Sequence, residues 1–230
     1  MRDPLYEQVQ RSLAQIGFDP GPFDGLPGVR TRGAIAGYEA KAGLVADGEI
    51  DDRLLNALRI PIPARPVDPP WLAILRSKQG LREAEDHAAL QAWLKSDRRT
   101  LGDPRKLPWC GDAIETCILN AGYGPVPSNP YLARNWATYG VESDLFFGAI
   151  GAFWRGKKEG SAGHVALIIG ISADGERLRI KGGNQKNMIC DVWIARERRL
   201  ASRAPSNWNG KRYRLPILAD NGEALSTNEA

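Results

Sequence analysis

The chain has 230 residues, 43% hydrophobic and 25% charged, the balance of an ordinary soluble globular protein with room for one large domain or two small ones. No apolar run approaches the 18 residues of a membrane span, and the start, MRDPLYEQVQRSL, lacks the basic and apolar regions of a secretory signal. Three cysteines without C-x-x-C spacing exclude a disulfide framework and a cysteine-rich zinc site, so no metal and no cofactor is expected. The net charge of +4 is uneven, −2 over residues 1–60 and +6 over the rest, which suits an anionic polymer as partner. Lysines and arginines are scattered and form no recognisable nucleic-acid motif.

Leu5, Val9, Leu13 and Ile16 recur at helical spacing, and a loop rich in Gly, Pro and Asp follows, GFDPGPFDGLPG (17–28). A second helix is predicted from Val29 to Lys41 with Ile35 and Tyr38 inward. Asp51 is placed to cap a third over Asp52–Leu58. The stretches VQRSL (9–13), GFDPGPFDG (17–25), TRGAI (31–35) and DGEIDDRLLNAL (47–58) resemble the peptidoglycan-binding domain found at one end of many wall hydrolases. That resemblance implies a wall-binding role for Asp24, Gly25, Arg30, Thr31 and Tyr38.

IPIPARPVDPP (60–70) has five prolines in eleven residues and reads as a semi-rigid linker. Domain boundaries follow at 1–60, a linker over 61–69, a second domain over 70–218 and a flexible tail over 219–230. Helices are predicted at WLAILRSKQG (71–80) and EAEDHAALQAWLKS (83–96), where His87 is expected to be solvated among acids. From Trp109 the residues Ile114, Cys117, Ile118 and Ala121 form a helical stripe that Gly122 ends. YLARNWATYG is a short helix. Strand patterns then occupy Ala149–Trp154, Gly163–Ile171, Arg177–Lys181, Met188–Ile194 and Tyr213–Leu218. Helices first and strands afterwards make this an α+β domain.

The chemistry concentrates at LPWCGD (107–112). A redox site needs a second thiol three residues on, and position 113 is Ala. Cys117 lies in the apolar stripe and Cys190 mid-strand, so both read as small buried hydrophobes. Cys110 stands at a helix start, where the dipole favours the thiolate, and Gly111 permits close approach of another segment. His164 opens a strongly apolar strand and is the partner a thiol nucleophile needs. A third group must orient the imidazole. Asn184 in IKGGNQK is placed in that role with Gln185 as the alternative, the two glycines before them suggesting a bulge.

PWC opening a helix, GH before an apolar strand and GGNQ after the next strand resemble the papain-like wall hydrolases of the CHAP and NlpC type over roughly residues 70–200. AFWRG (152–156) and WLAILRSKQGLRE (71–83) also fit. The resemblance implies a papain-like catalytic domain behind a small three-helix wall-binding domain, cutting an amide bond of peptidoglycan without a metal. By that resemblance Cys110 would be the nucleophile, His164 the base and acid, and Asn184 the orienting residue; Trp109, Asp112 and Trp154 are expected as substrate contacts from their own positions in the sequence. Asp112 departs from the small residues usual after the nucleophile. The expected protein is a monomeric phage or prophage endolysin. It is made in the cytoplasm without stable membrane association, and reaches the wall with a holin. The alternatives are a secreted antibacterial effector and a non-enzymatic wall-binding virion protein.

Overall fold

The computed structural model describes residues 2–61, 66–99, 103–219 and 222–226. It divides into two compact units, Met1–Arg65 and Pro66–Ala230. Residues 62–65 of the predicted linker, and 220, 221 and 227–230 of the predicted tail, lie outside the described residues.

The first unit has three helices, α1 (Pro4–Gln15), α2 (Val29–Lys41) and α3 (Asp52–Ala57). Asp3 caps α1 by accepting from the Leu5 N–H at 2.8 Å, and Asp51 caps α3 by accepting from Leu54 at 2.9 Å, each replacing a bond the first turn lacks. Val9, Leu13, Ala34, Ile35, Leu54 and Leu55, from all three helices, form the core together with Ile60 just beyond α3.

The second unit packs helices against a six-stranded antiparallel sheet of order β1-β6-β2-β3-β4-β5. The strands are β1 (Val141–Glu142), β2 (Ala149–Trp154), β3 (Gly163–Ile171), β4 (Arg177–Gln185), β5 (Met188–Ala195) and β6 (Arg199–Ala204). The helices are α4 (Pro70–Arg76), α5 (His87–Leu94) and α6 (Cys110–Asn120), with a 3-10 segment at Ala133–Thr138. This arrangement suits a papain-like domain without being diagnostic of one. Among the described residues no helix is long and apolar enough to cross a membrane.

Several local expectations change. The first two helices of this unit are shorter than their patterns. The strand expected over Tyr213–Leu218 is only a single parallel bridge, Ile171 to Ile217. Strand β6, RLASRA, was invisible to hydrophobic alternation because arginine and serine occupy half of its positions. Its place between β1 and β2 is fixed by backbone pairing, Ile150 to Arg203 and Ala152 to Ala201. Asp68 and Pro69, read as linker, belong to the second unit. Asp68 pairs with Arg76 at 2.8 Å, and a side chain at Gly148 would lie 2.6 Å from the Pro69 ring. In the tail, Ser226 donates to the Trp193 carbonyl at 2.8 Å and Leu225 bridges Trp193, so residues 225–226 lie beside β5.

Candidate functional site

Helix α6 carries Cys110 on its first turn and packs on β3 and β4, with Ala113, Ile114 and Cys117 fully buried along its stripe. Gly111 faces Pro130. A Cβ there would sit 1.8 Å from the Pro130 carbonyl oxygen, so the second residue of the helix cannot carry a side chain while that loop is in place. The same carbonyl accepts from Trp136 Nε1 at 3.0 Å, which ties the loop to the 3-10 segment. Trp109, buried before the helix, donates from Nε1 to Glu83 at 2.9 Å and lies against Gly183, where a Cβ would come within 2.5 Å of its ring. These contacts fix where the thiol stands.

The Cys110 thiol is bonded to His164, the second residue of β3. Burial alone pushes the thiol up. The His164 hydrogen bond and charge, with the backbone N–H groups of Val165 and Gly111, outweigh it and bring Cys110 below its ordinary value. Cys117 shows the contrast: buried on the same helix without such a partner, its thiol is driven far upward. Cys190 is also raised by burial.

The far side of the imidazole is held by Gln185. Its Oε1 lies 3.0 Å from His164 Nε2, and its own Nε2 donates to the Cys190 carbonyl. An amide whose nitrogen is committed to a carbonyl must turn its oxygen to the ring, and that oxygen only accepts. His164 Nε2 therefore carries a proton, which leaves Nδ1 for the thiol.

Asn184, placed first as the orienting residue, does not hold the ring. The reason is the predicted bulge. Gly182 pairs with Cys190 and Gln185 with Met188, so β4 has one residue more than β5 between these pairs. Asn184 takes the extra turn at φ +55°, which breaks strand alternation. Positions 182 and 185 now share a side: a Cβ at Gly182 would lie 2.8 Å from Gln185 Oε1. Asn184 instead lines the cavity with Cys110 and His164. The reversal of the chain is at Lys186–Asn187, both at positive φ, a two-residue hairpin turn beyond the site.

The cavity over the thiol has a volume of about 210 Å³, with walls from Pro108, Tyr131–Ala133, Arg155 and Ser161–Gly163. None of the three expected substrate contacts lines it. Trp109 is buried as described. Trp154, at the end of β2, donates to the Glu197 carbonyl at 3.3 Å and stacks under Arg198. Asp112 is fully buried on another flank of α6, close to Glu115 and Asp97, and neither carboxyl oxygen has a hydrogen-bond partner. His87, expected in solvent, has a buried Nδ1 and stands 3.7 Å from Asp103.

Burial, reinforced by Glu115, Asp97 and Cys110, pushes the Asp112 carboxyl up to about 8, and burial raises Glu115 to about 7 against the pull of Arg99. In the unfolded chain both ionise near pH 4. Between pH 4 and 8 the native state therefore binds more protons than the unfolded state, and stability falls as pH rises through that window. Asp112→Asn is expected to flatten this dependence, gaining about 1–3 kcal/mol relative to the parent at pH 8 compared with pH 4. Melting temperatures of both proteins at the two pH values give the comparison, and parallel pH curves would refute it.

In the first unit the residues expected to touch the wall are largely committed to its own loop. Buried Gln10 donates from Nε2 toward Asp24 (3.1 Å), the Leu26 carbonyl (3.2 Å) and Thr31 (3.1 Å), while its Oε1 accepts from the Gly25 N–H at 3.0 Å. Thr31 donates onward to Pro20, and Gly25, at φ +70°, passes within 2.7 Å of the Asp3 carbonyl at its Cβ position. Arg30 is paired with exposed Asp19. Tyr38 meets Phe18 edge to face at 5.7 Å, beside a depression lined also by Ile16, Ala42 and Leu58. Gln10 was missed because one buried glutamine in an apolar helical stripe carries no pattern of its own. Gln10→Ala strands several buried groups and is expected to cost this unit about 2 kcal/mol, read as faster hydrogen exchange over residues 2–58.

Among the described residues no group of three or more His, Cys, Asp or Glu is arranged to hold a metal ion. Residues 2–58, about a quarter of the chain, match the family described as "Putative peptidoglycan binding domain". The first unit thus carries a peptidoglycan-binding domain. No curated protein and no solved structure matches the chain.

Proposed function

We propose that the protein is a peptidoglycan hydrolase of the papain-like type. Its second unit cleaves an amide bond with Cys110 as nucleophile, His164 as base and acid, and Gln185 as the residue that orients His164. The single observation that carries this reading is the relay Cys110–His164–Gln185, opening into a cavity in a chain whose first unit binds peptidoglycan. A wall-binding protein with no chemistry of its own has no need for a thiol held low by an oriented imidazole.

The Cys110 thiolate attacks the amide carbonyl carbon. The first-turn N–H groups of α6 have no backbone partner within the helix, and that of Cys110 serves the oxyanion, such a donor being worth about 3 kcal/mol in comparable sites. His164 gives its proton to the leaving amine as the carbon–nitrogen bond breaks. It then takes a proton from water, whose oxygen displaces the thiolate from the acyl-enzyme. The products are a free amine and a carboxylic acid. The first unit tethers the enzyme to its insoluble substrate, with the depression beside Phe18 and Tyr38 as its wall-facing patch. A phage or prophage endolysin, made in the cytoplasm and released to the wall through a holin, is the setting in which these parts fit together.

The test is digestion of purified sacculi by the full chain, with new amino groups and new sugar reducing ends counted separately and the fragments identified by mass spectrometry. New amines without new reducing ends are expected. Reducing ends without amines, or neither, would overturn the proposal.

A further inference from the structure

The cavity over Cys110 has one permanently charged side chain among its described lining residues, Arg155, and no carboxylate. Its volume of about 210 Å³ falls below the ~300–1,000 Å³ of pockets that enclose a whole small molecule. Only the groups next to the reacting amide therefore fit inside, and a charge on the wall acts on one of them.

The position of Arg155 is built rather than incidental. It follows the last residue of β2, where Trp154 pairs with Gly163, and its N–H donates to the Ala162 carbonyl at 3.2 Å. From the other side Arg134 clamps the same loop, donating to the carbonyls of Ala162 (3.0 Å), Lys157 (3.1 Å) and Lys158 (2.9 Å). Three carbonyls on one guanidinium hold the 155–162 loop against the 3-10 segment that forms the facing wall. The loop is thus fixed one residue pair away from His164, whose own partner across the hairpin is Phe153.

Resting on the hydrolase reading above, we infer that Arg155 is a specificity residue that selects amides flanked by a free carboxylate, so that the substrate class is an acidic peptide segment of the wall. A guanidinium presents a planar fork that matches a carboxylate with two parallel hydrogen bonds, and an uncharged carboxamide at the same place offers only one acceptor and no charge.

The experiment compares native sacculi with sacculi whose free carboxylates have been converted to carboxamides by carbodiimide and a large excess of ammonium. Initial rates of bond cleavage are measured by mass spectrometry and referred to bound enzyme, so that any effect of amidation on the first unit cancels. The parent protein is expected to cleave native sacculi at least 10-fold faster than amidated ones. Arg155→Gln is expected to cleave both at the slow rate, with a ratio near 1, and Arg155→Lys to restore part of the preference. Equal rates for the parent protein on the two preparations overturn the inference and leave the hydrolase reading standing. A 10-fold preference that survives in Arg155→Gln also overturns it, since the carboxylate is then read elsewhere. Cleavage of neither preparation by the parent protein overturns the hydrolase reading itself.

Discussion

Cys110→Ala is expected to lower amide cleavage in sacculi by about 10⁴–10⁶-fold while the protein still pellets with them, since removing a nucleophile alone costs about as much as removing its whole relay. The residue is nearly buried and small, so loss of one sulfur leaves the fold intact, and the peptidoglycan-binding domain lies in the other unit. The other two cysteines supply the control. Cys117 is packed between the helix and the sheet with its thiol driven far up, so Cys117→Ala costs stability, about 1–2 kcal/mol, rather than turnover. Cys190 matters through its backbone carbonyl, which holds the Gln185 amide, and Cys190→Ala keeps that carbonyl. A Cys110→Ala protein that clears sacculi at the parent rate would remove the thiol mechanism. Loss of activity in all three variants would point to a thiol requirement that is not positional.

What the sequence made legible follows from how local each signal is. The α6 stripe, the cap Asp51 and the apolar strands β2 and β3 are written in residues a few positions apart, and the structure has them there. Cys110 and His164 were legible for the same reason, one at a helix start and the other at a strand start. Strand β6 was not, because its burial comes from neighbours far away in the chain. Asp112 was read toward the cleft from its nearness in sequence to Cys110. Two residues along a helix turn a side chain by about 200°, and that rotation sends it to the flank facing Asp97. Gln10 and Gln185 share one difficulty: a buried amide is defined by partners that only the folded chain assembles.

The choice between Asn184 and Gln185 shows how much a single inserted residue decides. Two adjacent strand residues point to opposite sides, and either amide is chemically able to accept from an imidazole. The bulge between Gly182 and Gln185 and the left-handed backbone at Asn184 bring Gln185 to the ring and leave Asn184 on the cavity wall. Gln185→Ala is therefore expected to lower kcat/KM by about 10²–10³-fold, a loss of roughly 3–4 kcal/mol of transition-state stabilisation, because His164 loses the acceptor that fixes its tautomer and stabilises its protonated form. Gln185→Glu keeps an acceptor at the ring but loses the donor to the Cys190 carbonyl. It is expected to recover part of the rate and to move the pH profile upward, since a carboxylate beside the imidazole favours the charged ring. Asn184→Ala is expected to change kcat/KM by less than about 10-fold, as a wall residue whose loss leaves the relay in place. Asn184→Gly should be better tolerated still, because glycine adopts positive φ without cost. The reverse ranking, with Asn184→Ala crippled and Gln185→Ala active, would return the orienting role to Asn184 and require the ring of His164 to turn away from the partner it has here.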